Sequence, residues 1–147
     1  MSNRLKRIAV KVASFAMISV IAVGMILTFS SCGAQTSSTL EDIAAANPDL
    51  TKTIKQEITA PHGMTTDVSF SGDSFDITFR YEDEMDEDDQ KVLVKAFDSN
   101  VGTLQKNCES AIENLQTQTK ITGITGTIHI HNSDGKEIWS HAFPEQE

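Results

Sequence analysis

Three histidines near the end of the chain, His129, His131 and His141, have the residue type and spacing to bind a metal ion. Neutral imidazole suits Zn²⁺ or Cu²⁺. His129 and His131 are two residues apart on an expected strand, so their side chains share a face. His141 falls on the expected partner strand, and the turn decides whether it joins them. Pairing His131 with Glu137 puts all three on one face, with His141 opposite position 127 and Trp139 opposite His129. A register one residue away sends His141 to the other face. The Asp134-Gly135 turn permits either. The plainer reading is three solvent-facing histidines on an antiparallel sheet, with His129 and Trp139 stacking.

The acidic run Glu82, Asp83, Glu84, Asp86, Glu87, Asp88 and Asp89 is interrupted only by Met85. Carboxylate oxygens suit Ca²⁺, but a calcium-binding helix-loop-helix needs a central glycine that this run lacks. The simpler reading is electrostatic. Acids before and inside a first helical turn complement the positive end of the helix dipole, and Asp86 can cap with Asp89 behind it.

Cys108 lies in an apolar helical stripe, where a small core residue is the ordinary role. A nucleophilic cysteine needs a histidine partner, and the sequence places none beside it. There is no nucleophile-elbow pattern around Ser or Thr, and no phosphate-binding glycine loop. These absences point to a non-enzymatic domain, with an unrecognised hydrolase as the weakest alternative.

The elements that must position these residues follow from periodicity. Ser38-Thr39-Leu40-Glu41 offers a capping box for a short helix to about Ala46. Asn47-Pro48 restarts a helix expected to reach about Ala60, with Leu50, Ile54 and Ile58 at helical spacing. Val68 and Phe70, then Phe75, Ile77, Phe79 and Tyr81, alternate with polar residues around a Ser71-Gly72-Asp73 turn, which predicts a hairpin with one buried face. Leu93, Phe97, Val101, Leu104, Cys108, Ala111 or Ile112, and Leu115 step by three and four, which predicts a long helix to about Thr119. Its length suggests a projecting end or a break near Gly102. Ile124–His131 and Glu137–Phe143 flank Asn132-Ser133-Asp134-Gly135-Lys136 and predict a second hairpin. The expected fold is α+β, a two-layer sandwich in the order α-β-β-α-β-β. Its four-stranded sheet is expected to be antiparallel with both helices on one face.

The N-terminus reads as an address. Arg4, Lys6, Arg7 and Lys11 precede an uncharged apolar stretch, Val12 to Phe29, in the layout of a secretory signal. Phe29-Ser30-Ser31-Cys32-Gly33 looks like a bacterial lipobox, with Phe29 where leucine is usual. That motif implies cleavage before Cys32, diacylglycerol on its thiol, and attachment to the outer face of the cell membrane. An uncleaved membrane helix is the alternative, and it too leaves the rest of the chain outside. Residues 1–31 are thus expected to be a signal peptide, 32–39 the lipidated cysteine and a tether, and 40–147 one domain. Removing the signal, which holds four basic residues and no acid, shifts the formal charge from −9 to −13. Such a chain repels phosphate backbones, so nucleic acid is not an expected partner. No cofactor is expected beyond the lipid.

The lipobox, the tether, the Asn47-Pro48 helix start, the acidic run before a long helix and the closing Asn132-x-Asp134-Gly135-Lys136-Glu137-Ile138 hairpin together resemble a family of small Gram-positive cell-envelope lipoproteins, recorded as a domain of unknown function. The resemblance implies a fold and a location and supplies no activity. The function expected from all of this is a membrane-anchored, extracytoplasmic binding domain for a protein or peptide of the cell envelope. The alternative is a metal-binding lipoprotein using His129, His131 and His141 or the acidic run.

Overall fold

The computed structural model describes residues 38–49, 51–52, 60 and 62–144. Their elements, in chain order, are α1 (Leu40–Ala46), β1 (Met64–Ser71), β2 (Ser74–Tyr81), α2 (Glu87–Thr119), β3 (Thr125–His131) and β4 (Glu137–Phe143). Pro48, Asp49, Thr51 and Lys52 are also helical. Most of the helix expected to run to Ala60, the signal segment and Cys32 lie outside the described residues. Among the described residues no helix is long and apolar enough to cross a membrane.

The capping box of α1 forms one residue later than the sequence suggests. Thr39 Oγ1 accepts from Asp42 N, and an Asp42 carboxylate oxygen accepts from Thr39 N at 2.9 Å. Those hydrogen bonds hold the Asp42 carboxyl below its ordinary pKa. Glu41 is thereby free to accept from Gly72 N at 2.8 Å, and Asp73 Oδ1 accepts from Leu40 N at 3.0 Å. The start of α1 is thus stitched to the β1–β2 turn.

The sheet order is β1-β2-β3-β4. β1 and β2 pair antiparallel, as do β3 and β4, but β2 and β3 pair parallel. The fully antiparallel sheet expected from sequence is therefore wrong at its centre. The reason is the connection. α2 carries the chain back to the end of the sheet from which β2 set out, and one helical crossover leaves the next strand running the same way. Two hairpins are joined in parallel through a helix.

α2 is unbroken through Gly102 and spans 33 residues, about 50 Å at ~1.5 Å per residue. Asp86 caps it, accepting from Asp89 N, and Lys120 closes it in the left-handed region. The Gln116 side chain then accepts from Gly123 N and Ile124 N, turning the chain into β3. Leu93, Phe97, Leu104, Cys108, Ala111, Ile112 and Leu115 are buried on α2, which lies mainly over β4 and β3. This stripe packs in one cluster with Leu40 of α1, Val68, Phe75, Ile77, Phe79, Tyr81, Ile128, Ile130, Trp139 and Phe143. One sheet face is thus the core. The other carries Asp76, Thr78, Arg80, Thr127, His129, His131 and Ser140, following from strand alternation and the register.

Candidate metal centre

A β-bulge builds the site. Ile130 pairs with Trp139, but His131 pairs with Glu137, so Ile138 is the extra residue. In a regular strand Glu137 and His141 would share a face; the extra residue puts them on opposite ones. Glu137 falls on the polar face opposite His131, whereas His141 pairs with Ile128 and falls on the core face. His129 and His131 share the polar face, as their spacing requires. The structure thus brings together two of the three histidines and replaces the third with a glutamate.

The geometry of the three groups is close. His129 Nδ1 lies 2.7 Å from Glu137 Oε2, and His131 Nε2 lies 3.7 Å from the same oxygen. The other oxygen, Oε1, accepts from Ser140 Oγ at 2.9 Å, which fixes the carboxylate plane. One ligand atom from each of His129, His131 and Glu137 falls within 4.8 Å of the others. Donors around a tetrahedral Zn²⁺ at ~2.0–2.1 Å sit roughly 3.3 Å apart. The 2.7 and 3.7 Å separations from Glu137 bracket that spacing. The hydrogen bond from His129, then that from Ser140, hold the Glu137 carboxyl below its ordinary pKa despite slight burial. His131 Nδ1 is buried without a partner.

His141 occupies a different environment. It stacks on Trp139 with centroids 5.9 Å apart and tilts against Phe143 at 4.9 Å. Trp139 in turn stacks on Phe97 at 4.9 Å, and its indole N–H donates to Asp98 Oδ1 at 2.9 Å. The stacking of Trp139 on His129 expected from sequence is replaced by stacking on His141, because the bulge takes Trp139 off the face of His129 while strand alternation keeps it beside His141.

The acidic run does not form a ligand group among the described residues. Asp86 is the helix cap, Glu87, Asp88 and Asp89 lie in the first turn of α2, and Asp88 pairs with Lys91 at 3.3 Å in open solvent. Such an exposed pair contributes at most about 1 kcal/mol. Met85, the apolar interruption, is buried. Cys108 is a buried core thiol, its pKa pushed up to about 12 by burial and then by Glu109.

Sequence reasoning named Glu137 only as the pairing partner of His131. Asp76, whose Oδ1 lies 3.4 Å from His129 Nε2, carried no signal, because it neighbours β3 only through the parallel pairing.

The chain belongs to the family described as Domain of unknown function (DUF4854), which matches residues 40–143 and so covers every element described above. No curated protein and no solved structure matches the chain.

Proposed function

We propose that this is a non-enzymatic, membrane-tethered, extracytoplasmic binding domain whose ligand is a divalent transition-metal ion held by His129, His131 and Glu137. The observation that carries the reading is the convergence of two imidazoles and one carboxylate within 4.8 Å on a polar sheet face. Imidazole nitrogens favour Zn²⁺ or Cu²⁺ over Ca²⁺ or Mg²⁺. The Glu137 side chain is 47% exposed, so the site loads from solvent. Three protein ligands leave a coordination position for water or an outside donor, unlike a closed structural site. The acidic chain, at −9 overall, raises the local concentration of cations.

The tether rests on the basic, apolar and Ser30-Ser31-Cys32 segments of the sequence. Two acyl chains hold a protein stably at a bilayer where one does not. Metabolic labelling with a fatty acid, compared between the wild type and Cys32→Ser, tests it. Label retained by Cys32→Ser would contradict the anchor.

A peptide partner adding to the β4 edge is less well supported. The bulge at Ile138 distorts β4, which is an edge strand among the described residues, and bulges of this kind discourage strand addition. Titration of the full chain in detergent with Zn²⁺, Cu²⁺ and Ca²⁺ by calorimetry tests the metal reading. Heat with Zn²⁺ or Cu²⁺ and none with Ca²⁺ is expected.

A further inference from the structure

We propose that Asp76 is a positioning residue of the metal centre, accepting the Nε2–H of His129 and thereby reserving Nδ1 for the ion. This rests on the reading of His129, His131 and Glu137 as a metal site.

The His129 ring lies between two carboxylates. Its Nδ1 faces Glu137 Oε2 at 2.7 Å, and its Nε2 faces Asp76 Oδ1 at 3.4 Å. The two ring nitrogens point away from each other. An ion shared by Nδ1 and Glu137 is therefore out of reach of Asp76, and Asp76 is not among the converging ligand atoms. Its role must pass through the ring.

That role has a clear chemical content. Only an unprotonated nitrogen ligates a metal, and the hydrogen bond made by the other nitrogen decides which one is free. Ligating histidines commonly donate their second N–H to a carboxylate, which fixes the tautomer and the ring plane and raises the basicity of the ligating nitrogen. The 3.4 Å separation is at the outer edge of hydrogen-bond range.

Position also favours this role. His129 pairs with Thr78 in the parallel β2–β3 ladder, so Asp76, two residues before Thr78, is its diagonal neighbour on the same face. Asp76 stands on a central strand between β1 and β3, where its backbone is held on both sides.

The test is Zn²⁺ calorimetry on the full chain in detergent, comparing wild type with Asp76→Ala and Asp76→Asn, together with ¹⁵N NMR of the Zn²⁺-loaded wild type. Asp76→Ala is expected to bind about 10–100-fold more weakly, and Asp76→Asn, which keeps a neutral acceptor, to fall between. The NMR spectrum is expected to show His129 metal-bound at Nδ1 and protonated at Nε2, a signature that mere loss of stability would not alter. Unchanged affinity in Asp76→Ala, or Zn²⁺ on Nε2 of His129, would overturn the assignment while leaving the metal site standing. Should Asp76→Ala fail to fold, Asp76→Asn and the NMR signature decide the matter. A wild type that takes up no Zn²⁺ would sink the metal reading, and this inference with it.

Discussion

Asn132 and Met85 hold each other through two hydrogen bonds. Asn132 Oδ1 accepts from Met85 N at 2.9 Å, and Asn132 Nδ2 donates to Met85 O at 3.1 Å. Asn132 is 3% exposed, a polar side chain inside the core region. It opens the turn after His131, in which Asn132 N donates to Lys136 O at 2.9 Å. The pair ties the start of α2 to the turn that delivers Glu137 to the site.

Replacing Asn132 with alanine strands a buried N–H at Met85 and leaves its carbonyl with only the Gln90 side chain, which donates at 2.7 Å. Each bare buried group costs roughly 1–3 kcal/mol. Asn132→Ala is expected to lose at least about 1 kcal/mol of unfolding free energy, read as a lower urea midpoint. An unchanged midpoint would show that the pair is dispensable.

Gly126 is expected to resist substitution. Gly126 pairs with Phe75 across β2 and β3, and a Cβ there would fall 2.7 Å from Phe75 Cε2, 2.9 Å from Cε1 and closer still to Cζ. The ring is buried. Gly126→Ala should destabilise by about 1–3 kcal/mol through overpacking. Combining it with Phe75→Leu should recover part of that loss, a coupling that thermal melts of all four chains would measure.

The Glu137 carboxyl should titrate below the ordinary glutamate value of 4.5. Its folded pKa is depressed, so its contribution to stability is full above the unfolded value and fades as pH falls through the folded one. Carboxyl NMR should show the low pKa in wild type and a return toward 4.5 in His129→Ala, because His129 is the largest cause of the shift. A wild-type value at or above 4.5 would contradict the contact.

Cys108 should be inert in the native chain. Its thiol is pushed up to about 12, and the thiolate is the reactive form. Iodoacetamide at pH 8, followed by peptide mapping, is expected to leave Cys108 unmodified until denaturant is added. Rapid native labelling would place it outside the core.

The elements were largely legible, and their assembly was not. Phe75, Ile77, Phe79 and Tyr81 alternate whichever way the neighbouring strand runs, so nothing in their pattern shows that β3 lies parallel to β2. Asp76 was invisible for the same reason, since the residue it faces is 53 positions away. The stripe from Leu93 to Leu115 declared α2 plainly, because a single helix carries its own period. His141 was misplaced by one residue, Ile138. An aliphatic residue gives no turn signal, yet as a bulge it parts Glu137 from His141, keeping Glu137 on the histidine face and sending His141 to the core face.

The most direct test of the account is Zn²⁺ calorimetry on the full chain in detergent, comparing wild type, Glu137→Gln and His141→Ala. Wild type and His141→Ala are expected to bind one ion with similar affinity, and Glu137→Gln to bind at least about 10-fold more weakly, the lower end of what weakening one group of a metal centre does. No heat in the wild type, or a loss in His141→Ala equal to that in Glu137→Gln, would contradict it.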